Sequence, residues 1–311
     1  MSGVKTRNKV IILKANDYKY CIFPFDDFNR LQDDCYQYFC QDVNLVVSAS
    51  VASGKTVVHE AIAGYELSRS ETSKVVYVCP LKSLLQEKIE DWHKHETFSQ
   101  YSMVALSSDA FVKTADIANA RIIVATIESM NVCCRRGDSW LKDIRLFTFD
   151  EAHLFNHEKR GSGSEALLMS IGSIVPECRL LLLSGTLSNC IGIAKWIKVL
   201  NGKPTAFVNS TWRPTKLIKR VEVAENIGEQ IEFLKGLAAS HRDEKLLFFV
   251  HSKKVGEKFV QDLRLAGIRC AFYCADIDAN KRKAMLDDFR NDYGSLNVLV
   301  CTSALAMGVN L

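Results

Sequence analysis

Short apolar runs alternate along the chain with stretches of helical apolar spacing, and that alternation predicts strands and helices in turn. The run Leu45-Val46-Val47 predicts a buried strand, with a helix over residues 57–67 behind it. Residues 74–79, containing Val75, Val76, Tyr77 and Val78, read as a second buried strand that Pro80 ends. Beyond it Leu81, Leu84, Leu85, Ile89 and Trp92 fall on one helix face of the kind that lies against a sheet. Strands are expected at 122–125, 146–149 and 180–183. Trp196 and Leu200 close this series, and Asn201-Gly202-Lys203-Pro204 reads as a turn-rich exit. A second series is expected from near Phe207, with strands over 245–250, 269–272 and 297–301. Its helix faces carry Val255, Phe259, Val260 and Leu263, then Ala284, Met285, Leu286 and Phe289. Residues 1–24 carry little pattern beyond a strand candidate at 9–13.

Strand and helix in strict alternation belong to the α/β class, as a doubly wound parallel sheet whose ligands sit at the carboxyl ends of its strands. A chain of 311 residues is too long for one small core and suits two such lobes, read here as residues 1–205 and 206–311.

Composition narrows the class further. With 48% apolar and 24% charged residues the chain has enough apolar surface to fold, which argues against disorder. A net charge of +4 gives slight support to a polyanionic partner. No run approaches the about 18 apolar residues of a membrane span. The apolar stretch after Lys5-Thr6-Arg7-Asn8-Lys9 is too short for a secretory signal, so a cytoplasmic or nuclear protein is expected. The eleven cysteines are odd in number, include the adjacent Cys133-Cys134 and form no Cys-x-x-Cys pair. That pattern predicts reduced, mostly buried thiols and no structural metal.

Candidate chemistry begins where the first strand ends. After Leu45-Val46-Val47 come the small residues Ser48, Ala49, Ser50, Val51, Ala52, Ser53 and Gly54, then Lys55 and Thr56 opening a helix. Small residues let backbone N–H groups turn onto an anion, and the helix end adds partial positive charge. Lys55 would neutralise β/γ-phosphates and Thr56 would hold Mg²⁺. Gly-Lys-Thr alone also suits an ordinary strand–turn–helix corner. A second signal decides between them: Asp150 and Glu151 follow Phe147-Thr148-Phe149, two carboxylates where an apolar strand stops. Asp150 would bind the metal and Glu151 would orient or deprotonate an attacking water. Upstream, Gln32 offers an amide donor and acceptor for an adenine edge and equally suits a solvated helix position.

Taken together with His153, Ser184-Gly185-Thr186 and residues 302–310, these segments resemble the ordered motifs of superfamily-two helicases. Pro80-Leu81-Lys82-Ser83-Leu84 with Glu87 and Trp92, Arg160-Gly161 with Glu165, and Leu305-Ala306-Met307-Gly308-Val309-Asn310-Leu311 resemble the Ski-two-like branch. The resemblance covers residues 28–311 and implies two RecA-like lobes, with ATP and Mg²⁺ in the cleft between them. It implies that Gln32, Ala52, Ser53, Gly54, Lys55, Thr56, Ser184, Thr186, Gly308 and Asn310 serve the nucleotide. Lys55, Asp150, Glu151 and His153 would be catalytic, with Thr56 and Asp150 on the metal. On the nucleic-acid side it implies Pro80, Leu81, Lys82, Thr126, Glu128 and Arg160, and, from the second lobe, Arg213, Ser252 and Thr302. The implied activity is ATP-dependent 3′-to-5′ movement on a single strand, DNA being slightly favoured over RNA. A non-hydrolysing nucleic-acid-binding module, or one subunit of a split helicase, is the alternative.

Two departures from the family pattern carry expectations. Ser50-Val51-Ala52 stands where the family usually has Pro-Thr-Gly, and Ser184-Gly185-Thr186 where it has Ser-Ala-Thr. Ala52 at positive φ would cost about 1 kcal/mol that Gly would not, which predicts weak nucleotide affinity. The chain also stops at Leu311 inside the second-lobe motif. The second lobe is therefore expected to be incomplete, its strand over 297–301 to have an open edge, and an arginine finger to come from a partner or a further segment.

Overall fold

The computed structural model describes residues 13–108, 112–158, 161–302 and 305, and divides into two units, Met1–Lys216 and Leu217–Leu311. In the first unit the predicted alternation is realised as a seven-stranded, all-parallel sheet. After α1 (Arg30–Tyr36) the chain runs β1 (Asn44–Ala49), α2 (Lys55–Ser68), β2 (Lys74–Val78), α3 (Lys82–Lys94) and β3 (Met103–Leu106). It continues through α4 (Thr114–Asn119), β4 (Ile122–Ala125), α5 (Ile127–Arg136), β5 (Ile144–Phe149) and α6 (Gly161–Ile174). Then come β6 (Arg179–Ser184), α7 (Cys190–Asn201) and β7 (Thr205–Ser210).

The spatial order is β3-β4-β2-β5-β6-β1-β7. Every residue of β1, β2, β4 and β6 is buried, as both-face coverage of a parallel sheet requires. The edge strands β3 and β7 are mostly half-buried. Beneath the amino ends, Arg179 is buried with Glu66 at 3.0 Å and also donates to the carbonyls of Phe39, Tyr38 and Val43. This charge is kept inside only because its donors are occupied.

Strand β7 corrects the expected boundary. Thr205–Ser210 pairs in parallel with all of β1, so the segment around Phe207 completes the first sheet instead of opening a second series. The turn at 201–204 is an internal connection: Gly202, at φ +74°, is the left-handed C-cap of α7.

The second unit holds α8 (Ile227–Ser240), β8 (Leu246–Phe249), α9 (Lys253–Leu265), β9 (Cys270–Tyr273), α10 (Ala279–Arg290) and β10 (Val298–Cys301). Its three strands are parallel in the order β8-β10-β9. The open edge expected at 297–301 is therefore corrected as well: β10 is the central strand, hydrogen-bonded on both sides, because parallel strands are not laid down in sequence order.

All eleven cysteines are free thiols, buried except Cys40. Burial pushes the Cys35 thiol up to about 12, which keeps it protonated and unreactive. Among the described residues no helix is long and apolar enough to cross a membrane. The strand candidate at 9–13 lies, except for Leu13, outside the described residues, as do Arg160, Gly308 and Asn310.

Candidate functional site

The residues singled out for phosphate chemistry gather at the carboxyl ends of β1, β5 and β6, three neighbours in the sheet. Between β1 and α2 the chain turns through residues 50–54, and two of these have left-handed backbone, Ala52 at φ +60° and Gly54 at φ +84°. A side chain at Gly54 would be strained by its left-handed backbone, and its Cβ would stand 2.4 Å from Gln32 Nε2, which would have to move. Ala52 does carry a Cβ in this region, so the loop holds the strain that Gly would avoid. Ser53 is fully buried and its Oγ donates to the Ser50 carbonyl at 2.7 Å. Lys55 Nζ donates to the carbonyls of Ala49 at 3.0 Å and Ser50 at 2.9 Å. Burial lowers the Lys55 pKa, while Glu151 and Asp150 pull it back up. An anion at the loop would give that ammonium a stronger acceptor than two carbonyls.

Opposite the loop, the acid pair forms a tight corner. Asp150 N–H donates to Val78 O at 2.9 Å, continuing the β2–β5 ladder one residue past the strand. Glu151 then turns left-handed at φ +54°. Ala52 and Glu151 are the non-glycine residues at positive φ among the described residues, one in the loop and one in this corner. Asp150 Oδ2 accepts from Tyr77 at 2.5 Å and Oδ1 from the Glu151 N–H at 2.9 Å. Burial raises the Tyr77 pKa and the Asp150 charge raises it further, so the phenol stays a donor. Burial, then the Asp150 charge, also raises the Glu151 pKa, against the lowering effects of His153, Lys55 and the Gly185 backbone. A carboxylate more basic than usual beside a phosphate loop is suited to take a proton from water.

His153 connects this corner to the end of β6. Its Nδ1 lies 3.2 Å from Glu151 Oε2 and 3.4 Å from Ser184 Oγ. Ser184 Oγ in turn accepts from Thr186 N–H at 3.3 Å. Thr56, in the first turn of α2, receives a long hydrogen bond of 3.4 Å from Lys88.

Gln32 is buried, not solvated. It closes a capping box with Asn29, accepting the Asn29 N–H on Oε1 at 2.9 Å and donating its own N–H to Asn29 Oδ1 at 3.1 Å. Asn29 Nδ2 reaches the Ser53 carbonyl at 3.0 Å and so ties this cap to the phosphate loop. Sequence reading missed Asn29, although the Asn-x-x-Gln spacing of a capping box announces it. It also missed Tyr77 and Ser50. Ser50 Oγ donates to Trp212 O at 2.8 Å and anchors the segment that follows β7.

The residues expected on the nucleic-acid side fall into separate groups. Pro80, Leu81 and Lys82 follow β2, and Thr126 and Glu128 follow its neighbour β4, so these share one end of the sheet. Lys82 and Glu128 are exposed, whereas Thr126 is buried as the N-cap of α5, accepting from Ser129 N–H at 3.2 Å. Arg213 is placed differently than expected: it belongs to the first unit, next to the Trp212 carbonyl held by the phosphate loop, beyond the opposite sheet edge. Ser252 caps α9 after β8, and Thr302 follows the adjacent β10, which brings these two together in the second unit.

A family model described as DEAD/DEAH box helicase matches residues 29–191, and one described as helicase conserved C-terminal domain matches residues 229–311. The chain is 28% identical to the ATP-dependent DNA helicase MER3 of Saccharomyces cerevisiae, covering 93% of this chain and 28% of that protein. It is 35% identical to the ATP-dependent DNA helicase Hel308 of Thermococcus kodakarensis over 57% of this chain and 15% of that protein. The chain thus spans less than a third of either relative. A crystal structure of the DUF1998 helicase MrfA bound to DNA and AMPPNP superposes with a TM-score of 0.75 over 92% of this chain and 43% of that one. At 16% identity that likeness carries the fold, two RecA-like lobes.

Proposed function

The chain belongs to the DEAD/DEAH box helicase family, Ski-two-like branch, and from that premise we propose that it binds ATP with Mg²⁺ and couples hydrolysis to movement along nucleic acid. The observation that carries this is the convergence of Lys55, Asp150, Glu151 and Ser184 at the carboxyl ends of three adjacent parallel strands.

In this reading the loop amides and Lys55 hold the phosphates, and Lys55 moves its hydrogen bonds from the Ala49 and Ser50 carbonyls to the anion. Thr56 and Asp150 supply hydroxyl and carboxylate oxygens, donors of the hard kind that Mg²⁺ takes, and are the residues that would hold it. Mg²⁺ bound there would neutralise charge on the β- and γ-phosphates. Glu151 takes the proton of the attacking water, and its raised pKa suits that task near neutral pH. His153, bonded to both Glu151 and Ser184, links the reacting corner to the end of β6.

The track is single-stranded DNA with 3′-to-5′ movement, DNA being favoured over RNA because the two relatives above are named DNA helicases. Lys82 and Arg213 meet its phosphates, contacts that hold a strand without reading its sequence. The free thiols fit the reducing cytoplasm or nucleus. The test is Glu151→Gln, which keeps size and one acceptor oxygen but cannot accept the proton. It is expected to bind Mg·ATP as the parent does and to lose turnover. Undiminished turnover would assign the base elsewhere.

A further inference from the structure

Asp150 has a donor from the chain on each carboxylate oxygen, and one of them comes from a residue far away in sequence. Tyr77 lies on β2, paired with Thr148 of β5, and reaches across the strand end to Asp150 Oδ2 at 2.5 Å. The ring is fully buried. It meets the His59 imidazole edge-on at 4.8 Å and the Trp92 indole at 5.4 Å. Those two neighbours are themselves held, His59 Nδ1 at 2.8 Å from Thr148 Oγ1 and Trp92 Nε1 donating to Glu60 at 2.9 Å. The phenol therefore sits in a box that fixes its ring, and its hydroxyl, the ring's one polar group, has the Asp150 carboxylate as its partner. A hydroxyl so enclosed would be left unpaired if that carboxylate swung away, which costs enough to hold both groups in register.

We propose that Tyr77 is a positioning residue for the metal-side carboxylate: its hydroxyl and the Glu151 N–H together fix Asp150 so that its remaining lone pairs face one direction. The inference rests on the reading that Thr56 and Asp150 hold Mg²⁺. Neither oxygen is free to rotate away, and the carboxylate enters the metal-bound state already oriented. That preorganisation is worth affinity, because no side-chain freedom remains to be lost on binding.

The experiment is Tyr77→Phe in the full chain, measured as binding of a fluorescent ATP analogue over a range of Mg²⁺ concentrations and again in EDTA. Phe keeps the ring contacts with His59 and Trp92 and removes one buried polar atom, so the ring packing of the box is retained. The Mg²⁺ concentration giving half-maximal binding should rise roughly three- to tenfold, the net value of one typical hydrogen bond. Nucleotide binding in EDTA should stay as in the parent, and the melting temperature should fall only by the loss of one hydrogen bond; a residue that only packs would leave the metal dependence unchanged as well, since Phe keeps its ring contacts. An Mg²⁺ requirement in the parent that Tyr77→Phe leaves unchanged within twofold would overturn this inference alone. Binding by the parent that ignores Mg²⁺ would overturn the metal-site reading and this inference with it.

Discussion

His153 Nδ1 stands 3.2 Å from Glu151 Oε2, and that contact lowers the pKa of a carboxylate which burial and Asp150 otherwise raise. Removing the ring in His153→Ala takes away a lowering influence, so the Glu151 pKa should climb further above its ordinary value of 4.5. A base works only when deprotonated, and so the acid limb of the ATPase pH profile should move to higher pH in this variant. Because His153 also reaches Ser184, stimulation of turnover by a single strand should fall at every pH. A pH–rate profile of both proteins checks this; an acid limb that stays put or moves down would contradict it.

The close approach of Gln32 to Gly54 predicts a coupled pair. Gly54→Ala should cost roughly 1–2 kcal/mol of stability from its left-handed backbone alone. It should also push Gln32 out of its capping box, since the new Cβ would fall 2.4 Å from Nε2. In a Gln32→Ala background the clash with Nε2 disappears, leaving the backbone part and a tight 3.1 Å approach to Asn29 Nδ2. Urea unfolding of the two single variants and the double variant should therefore show non-additivity. Strict additivity would mean that the loop and α1 do not touch in solution.

Exposed Lys82 and Arg213 are proposed to meet phosphates from two places in the first unit. Each change to Ala should weaken single-strand binding equally for all sequences. Each should also flatten the plot of log affinity against log salt by about 0.7, one phosphate contact on a single strand. Fluorescence anisotropy at several salt concentrations measures this. Unchanged slopes for both would remove the proposed track.

The phosphate loop and acid corner were legible because their chemistry dictates residue types at fixed places: small residues after an apolar strand, then Lys and Thr, then two acids at another strand end. Even the strain at Ala52 could be read, since that position of the loop requires left-handed backbone. What could not be read depends on pairing at a distance. The 201–204 turn has the composition of a domain exit, and nothing local shows that β7 returns to β1. Strand β3 is four residues long and mostly half-buried at an edge, too short to leave a periodic signal. The central place of β10 is a matter of sheet order, invisible in an apolar run. Tyr77 looks like one more core residue until β2 and β5 are laid side by side. Gln32 shows the reverse case, a residue noticed for a ligand that also serves as a helix cap, leaving Nε2 and the second lone pair of Oε1 for an adenine edge.

Equilibrium binding of ATP in Mg²⁺ to the parent chain and to Lys55→Ala tests whether the end of β1 and the acid corner form an ATP site. The Lys55 ammonium contacts only loop carbonyls and the field of two acids, so its loss opens no core cavity and the variant should melt as the parent does. The parent should bind ATP, weakly because Ala52 strains the loop, and the variant should lose at least about tenfold in affinity, as removal of a charge-assisted contact to phosphate requires. Equal affinity in the two folded proteins, or no binding by the parent, would contradict the account.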